Sequence, residues 1–186
     1  MKMSFDIVIP RKNESDFIDM AIKLGIEGLI FVYQKANDFK TKKIQVEIGV
    51  FVKQKRDPKW LTFSNKGGRH VFEKQKPHVV FGFESEAKKD HTHYKKSGLD
   101  DVLCRLAYQN KITIGFSFSD ALKKGVMARM KQNIRFCRKY KVNMVLASFA
   151  QNPWQMRSPH DLKAWGISMG MKPGEAKAAE FLLKKK

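Results

Sequence analysis

An α/β fold of mainly parallel strands is predicted by three observations. Short apolar runs recur along the chain, amphipathic helical stretches separate several of them, and the connections between are short. The first run, residues 4–10, contains Phe5, Ile7, Val8 and Ile9 and is ended by Pro10, which has no backbone N–H to give to a ladder. Asp6 lies within it: in a catalytic barrel an acid there can hold a metal, whereas a lone acid near a strand start serves more often as a hydrogen-bond acceptor. Asn13 is placed to cap a helix that buries Phe17, Ile18, Ala21, Ile22 and Leu24, and Gly25 supplies its left-handed exit. A second strand at 28–33 completes a strand, helix, strand unit.

Residues 44–52 form the third expected strand, with Ile44, Val46, Ile48 and Val50 alternating with more polar neighbours before Phe51 and Val52 make the run continuous. The segment 53–76 breaks the pattern. It carries charge, Trp60, Phe63, Gly67, Gly68 and Val71 without helical periodicity beyond a turn or two, so it is either a degenerate unit or a partner-facing loop, with a further strand near Val71 in view. Its two glycines lack the spacing and the Lys-Ser/Thr ending of a phosphate loop. A fourth strand follows at 79–83. Ser97 and Asp100 then resemble a capping box ahead of a helix buried through Leu99, Val102, Leu103, Leu106 and Ala107. Lys95 and Lys96 precede that helix start, where free N–H groups and the dipole favour phosphate.

The fifth strand is expected at 112–116, with a short turn at Ser119 and Asp120, and Gly125 separates it from a basic helix. On that helix Val126, Met130, Ile134 and Cys137 share a narrow arc, while Arg129, Lys131, Arg135, Arg138 and Lys139 occupy the rest of the circumference. The run 143–149 reads as a strand buried on both faces. Ser158, Pro159 and Asp161 mark the next helix start, which puts Arg157 in the loop leaving a buried strand, where α/β folds meet ligands. A last helix is expected from Pro173 through Leu183, ending in Lys184 to Lys186.

The 186 residues fit one domain, 1–186, and 42% hydrophobic content allows a proper core. Thirty-seven Lys and Arg against eighteen Asp and Glu give a formal charge of +19, which calls for a polyanionic partner, nucleic acid first. A membrane partner is disfavoured: no stretch approaches the roughly 20 apolar residues of a span, and the N-terminus lacks a signal-peptide core, so a cytoplasmic location is expected. Cys104 and Cys137 lie inside helical patterns at no metal spacing and read as reduced core thiols.

Four motifs in order carry a resemblance. Residues 97–103 (SGLDDVL), 112–119 (ITIGFSFS), 128–141 (ARMKQNIRFCRKYK) and 156–162 (MRSPHDL), followed by Gly166, Gly170 and the EAKAA of 175–179, resemble the thirty-kilodalton subunit family of archaeal and eukaryotic ribonuclease P, also called ribonuclease P protein component 3. The likeness covers 97–179; before that it is carried mainly by FDIVI at 5–9 and by element order. Strand and helix alternation alone leaves an open sheet and a barrel equally allowed. The resemblance implies an incomplete or degenerate TIM-like barrel, and a chain this short implies fewer than eight regular units.

The resemblance also implies a noncatalytic subunit of an RNA-based endoribonuclease that removes the 5′ leader from precursor tRNA. In that arrangement the RNA carries the active site and requires magnesium, and the protein binds no cofactor. Its partners would be ribonuclease P RNA, precursor tRNA through the holoenzyme, and a small ferredoxin-like protein subunit among others. The alternatives are a metal-dependent barrel phosphoesterase and a general RNA-binding protein. Against the phosphoesterase, the first strand ends in Pro-Arg-Lys-Asn rather than His-x-His, and His91, His93, His70, His78 and His160 do not form a strand-end constellation. No nucleophile triad is legible around Ser148 or Ser158. The candidate RNA contacts are Lys95, Lys96, Arg129, Arg135, Arg138, Lys139 and Arg157, with Arg69 in addition, because guanidinium forks and ammonium charges suit phosphate.

Overall fold

A computed structural model describes residues 2–86, 89–90, 92–93 and 95–184. Seven strands, β1 (Lys2–Val8), β2 (Gly28–Tyr33), β3 (Gln45–Phe51), β4 (Leu61–Ser64), β5 (Val79–Phe81), β6 (Thr113–Ser117) and β7 (Met144–Ala147), lie side by side in chain order. Each runs parallel to the next. Helices α1 (Glu14–Lys23), α2 (Asp101–Gln109), α3 (Phe118–Ala121), α4 (Val126–Tyr140), α5 (Pro159–Ser168) and α6 (Pro173–Ala178) occupy the connections, and the sheet curls into a nearly closed TIM-like α/β barrel. The open sheet that alternation alone allowed is thereby excluded.

Closure joins β1 to β7 by two devices. Near the N-terminal ends of the strands the gap is filled by β8 (Phe181–Lys184), which pairs antiparallel with β1, while Leu146 N–H donates to the Ala179 carbonyl at 2.8 Å. Further along, the strands meet directly: Ile9 N–H donates to the Ala150 carbonyl at 2.8 Å, and Val8 bridges Ala150. Between these the Asp6 carboxylate receives the Ser148 backbone N–H at 2.7 Å and the Ser148 hydroxyl at 2.6 Å. Asp6 is thus the structural acceptor that a lone strand acid suggests, and its partner is the strand across the seam. Phe149 adopts a left-handed backbone, φ 46°, just after β7. That conformation costs a non-glycine residue about 1–2 kcal/mol, and neighbouring Ala150 makes the bridge to β1.

The lumen is filled by Phe5, Ile7, Ile30, Val32, Phe63, Val79, Phe81, Val145, Ala147 and Phe149. So narrow a barrel cannot hold large side chains at every inward position. Gly49 faces Phe63, and a Cβ added there would sit 2.4 Å from its ring; overpacking of this kind costs about 1–3 kcal/mol. Phe81 and Phe149 stack with ring centroids 4.0 Å apart. Outside the sheet one core joins α2, α4, α5 and α6, and a second packs α1 against Val8, Leu29 and Phe31.

Two expectations from the sequence change here. Segment 53–76 is a degenerate barrel unit: it contributes β4, and its crossover helix is reduced to a π-helical turn, Val71–Gln75, that buries Val71 and Phe72. The strand forms at Leu61 to Ser64, not near Val71, because Thr62 and Phe63 align with β3 and β5. The last helix ends at Ala178 and the chain turns into β8, since the seam offers unpaired strand edges that a helix could not satisfy. Lys185 and Lys186 lie outside the described residues.

Burial raises Asp6 to about 6, the donors from Ser148 and Ile7 only partly offsetting it. A folded-state value above the unfolded one near 3.8 means that this carboxyl favours the fold most below that pH, and that the contribution is lost as pH rises through about 6. Asp6→Ala should cost about 1–3 kcal/mol, because a buried N–H loses its acceptor. Thermal denaturation at pH 5 checks this. Asp6→Asn should flatten the wild-type dependence of Tm between pH 4 and 7, and an Asn variant with the wild-type slope would assign that slope elsewhere.

Candidate nucleic-acid interface

Helix α4 organises the charged side of the barrel. Gly125 at φ 80° begins it and Lys141 at φ 56° ends it, with Arg138 and Lys139 in the last turn facing the negative end of the dipole. Its buried stripe is wider than the apolar spacing alone requires: Arg129 and Asn133 are buried together with Val126, Met130, Ile134 and Cys137. Arg129 donates to Asp90 at 2.7 Å and to the Glu84 carbonyl at 2.8 Å. Asn133 donates to the Glu84 carboxyl and to the Ser97 carbonyl, both at 2.9 Å. This network clamps Glu84, Asp90 and Ser97 to the helix. Arg129 therefore departs from its place among the RNA contacts: a guanidinium turned into a carbonyl-lined interior serves the fold. Burial pushes Glu84 up to about 7 against the opposing Asn133 hydrogen bond, and one Glu84 oxygen and the Asn133 carbonyl find no protein partner among the described residues.

The clamp brings four of the expected contacts to one face. Gln132 holds the Lys95 carbonyl at 3.1 Å and the Ser97 hydroxyl at 2.9 Å, which lays Lys95 and Lys96 along α4. Arg135 and Lys139 follow on the same side, and with Lys131 they form an exposed stripe at four-residue spacing. Lys95 reaches half-buried Asp90 at 3.5 Å and Lys139 reaches exposed Asp101 at 3.8 Å, both long contacts made by exposed ammonium groups, while Arg135 has no ion pair among the described residues. Solvent-exposed pairs of this kind hold a side chain by no more than about 1 kcal/mol, so phosphate can displace them.

The start of α2 is not an anion site. Its cap is Asp100, whose side chain accepts the Leu103 N–H at 2.8 Å, and Asp101 follows. Ser97 is buried outside the helix rather than forming a capping box. Two carboxylates at the positive dipole end satisfy it internally.

The remaining expected contacts are scattered. Arg138 makes a two-pronged pair with Glu175, both bonds at 2.7 Å, and donates to the Gly170 carbonyl, so it locks α4 to α6 and holds Glu175 at about 2. Arg157 stacks 4.7 Å over Phe118 and donates to the carbonyls of Trp154 and Met156. It is a loop anchor, and the Asp161 carboxylate beyond it receives the Ser158 hydroxyl. Arg69 is exposed and pairs with Glu73 at 2.9 Å. His91 lies outside the described residues. His78 is held by Thr62, and among the described residues no three His, Cys, Asp or Glu side chains gather as a metal site would require. Cys104 and Cys137 are free and buried, with the Cys104 thiol pushed up to about 12 chiefly by burial. No described helix is long and apolar enough to cross a membrane.

The segment 53–76, read from the sequence as a degenerate unit or an RNA-facing loop, contributes Lys53 and Lys55 to a second basic region at the C-terminal mouth of the barrel that residue-by-residue reading did not assemble. Arg11, Lys35, Lys53 and Lys55 line two adjoining depressions of about 630 and 640 Å³. Each follows a strand end by a few residues, a position that marks ligand loops in barrels, and that spacing was the available signal.

Residues 89–180 match the family model for RNase P subunit p30. Over 91 residues the chain is 33% identical to Ribonuclease P protein component 3 of Thermococcus kodakarensis, a match covering 46% of this chain and 41% of that relative. Over 178 residues it is 26% identical to the protein of the same name from Methanococcus vannielii, covering 88% of this chain and 73% of the relative. A chain in the cryo-EM structure of archaeal Ribonuclease P with mature tRNA shares the fold at a TM-score of 0.67 and 21% identity, over 94% of this chain and 86% of that one. The first of these sequence matches thus spans about two fifths of the relative's length.

The buried and exposed arginines of α4 should separate in a melting experiment. Arg129→Ala leaves the buried Glu84 carbonyl without its donor and should lower Tm by about 5 °C, whereas Arg135→Ala should shift it by less than about 1 °C. Equal shifts measured by circular dichroism would contradict the placement of Arg129.

Proposed function

We propose that this chain, whose residues 89–180 match the family model for RNase P subunit p30, is a noncatalytic protein subunit of ribonuclease P, the ribonucleoprotein that removes the 5′ leader from precursor tRNA. The observation that supports it best is a coincidence of sequence and geometry: the family match contains Lys95, Lys96, Lys131, Arg135 and Lys139, the residues that the clamp beneath α4 gathers on one face. Chemically, such a face neutralises phosphates. Strands of RNA that repel one another can then approach, and magnesium sites made by the RNA become easier to fill.

In this reading the RNA performs the cleavage with its own magnesium and the protein holds no cofactor. Ribonuclease P RNA is the direct partner, precursor tRNA is met through the holoenzyme, and a small ferredoxin-like subunit is the expected protein neighbour. The cytoplasm is the proposed compartment. Arg138 and Arg157 contribute by holding α6 and the 153–158 loop in place, so their effect on RNA is indirect.

Reconstitution of precursor-tRNA cleavage from ribonuclease P RNA and its protein subunits, with and without this chain, tests the proposal. Omission should raise the magnesium needed for cleavage, and the chain alone should cleave nothing. Cleavage by the protein after nuclease treatment would favour the phosphoesterase reading, and equal affinity for unrelated structured RNAs would favour a general RNA binder. Binding to ribonuclease P RNA should weaken with salt with a log-log slope near −4 if about six phosphates are neutralised. The triple reversal Lys131→Glu, Arg135→Glu, Lys139→Glu should keep the fold and lower cleavage at low magnesium by about tenfold, with partial recovery at high magnesium. Full activity of the folded triple variant at low magnesium would remove α4 from the interface.

A further inference from the structure

The barrel mouth carries a group of cations apart from the α4 face, of which Arg11 donates to the side-chain carbonyl of Gln151. The two depressions there share Gln34, Lys35, Ala36 and Phe51 and so form one trough across the C-terminal ends of β1 to β4. Arg11, Lys35, Lys53 and Lys55 stand on its rim, and among the described residues none of the four has an ion pair with a carboxylate. The one carboxylate lining the trough, Asp57, receives the Lys59 backbone N–H at 2.8 Å. Four cations collected around one concavity repel one another and are stabilised by an anion that spans them.

The trough is also fixed in shape. The Arg56 guanidinium donates to the carbonyls of Pro77 and Asn110 at 2.8 and 3.1 Å, and Gln75 donates to the Lys53 carbonyl at 3.0 Å. The strap bearing Lys53 and Lys55 is thereby pinned to the barrel wall. Below the rim the surface changes character: Ile9, Phe51, Val52 and Trp60 are half-buried and line the trough. A basic rim over an aromatic floor is the arrangement by which proteins hold unpaired nucleotides, phosphates on the cations and bases on the rings. A duplex presents only phosphates to such a surface, because its bases are already stacked and paired.

We propose that the C-terminal mouth of the barrel is a second RNA site, one that takes a single-stranded segment, with Arg11, Lys35, Lys53 and Lys55 on phosphates and Trp60 and Phe51 against bases. The site rests on the RNA-binding reading above but is separate from the α4 face: its cations and rings come from residues 11–60, outside the 89–180 match, and Gln151 completes its wall from within that match.

The full chain titrated with a fluorescein-labelled ten-nucleotide oligouridine, beside a duplex RNA of equal length, tests it. Lys35→Glu, Lys53→Glu, Lys55→Glu should weaken oligouridine binding at least tenfold, while the charge-matched reversal of exposed Lys23, Lys124 and Lys177 should weaken it less than threefold. Trp60→Leu, which changes no charge, should weaken it about fivefold or more. Oligouridine affinity unchanged in the trough triple, or lost equally in the charge-matched control, overturns the proposal. A measurement on the wild-type protein guards against a misfolded variant: photocrosslinks from 4-thiouridine should fall within 9–65, and crosslinks confined to 95–139 would place the strand on α4 instead. The two readings fail separately. A protein that binds oligouridine at the mouth yet does nothing for precursor-tRNA cleavage loses the subunit function and keeps the site; one that restores cleavage but has no mouth crosslinks does the reverse.

Discussion

The carboxylate of Asp6 at the seam is the constraint on which the rest of the molecule depends. A curled sheet of seven parallel strands has two free edges, and a barrel exists only if they are brought together. Here the last step is made by one side chain taking both the backbone N–H and the hydroxyl of Ser148, with one backbone bond beyond it and β8 inserted on the other side. The seam fixes the circumference, the circumference limits the lumen, and the limited lumen explains why Gly49 must face Phe63. The same closure positions the loops at the C-terminal ends of the strands, so the shape of the mouth follows from an interaction well away from it.

The distribution of cations follows a different logic. With a formal charge of +19, the chain cannot neutralise itself, and internal partners select which cations remain available. Arg129, Arg138 and Arg157 are consumed by carbonyls, carboxylates or a ring, whereas Lys131 and Arg135 stay in solvent and the exposed Lys95 and Lys139 make only long ion pairs. Arginine fills the structural roles because its fork can satisfy two acceptors at once, and lysine dominates the outer stripe and the mouth.

How far the sequence foretold this depends on the range of the interaction involved. Strand positions and the apolar arc of α4 were legible because periodicity is local, and parallel order followed from the short connections. The inward turn of Arg129 was not, since its acceptors at Asp90 and Glu84 lie 39 and 45 residues away on a loop with no regular pattern. Arg129 and Asn133 in fact sit four residues apart on the buried stripe, beside Met130 and Ile134, so the wheel held the clue but gave no reason to prefer burial over solvent. The strand at Leu61 to Ser64 was hidden because it lies in a charged segment with no regular crossover helix after it, and β8 by helix-favouring residues whose preference is outweighed by the unpaired edge of β1. The trough at the mouth was hidden because its cations are separated in sequence and meet only when the strands are set in order.

The seam has a consequence for how the chain reaches its native state. Asp6 and Ser148 are 142 residues apart, and β1 is completed by β8 at the far end of the described chain. During synthesis β1 and β2 precede β7 and β8, so one edge of β1 stays open until residues 144–184 have followed. Closure is therefore a late event, with a large loop entropy to overcome before any seam bond forms. Until then the growing polypeptide presents a strongly positive surface beside an unpaired strand edge. Charge repulsion between nascent copies guards that edge against aggregation while the barrel waits for its last stave.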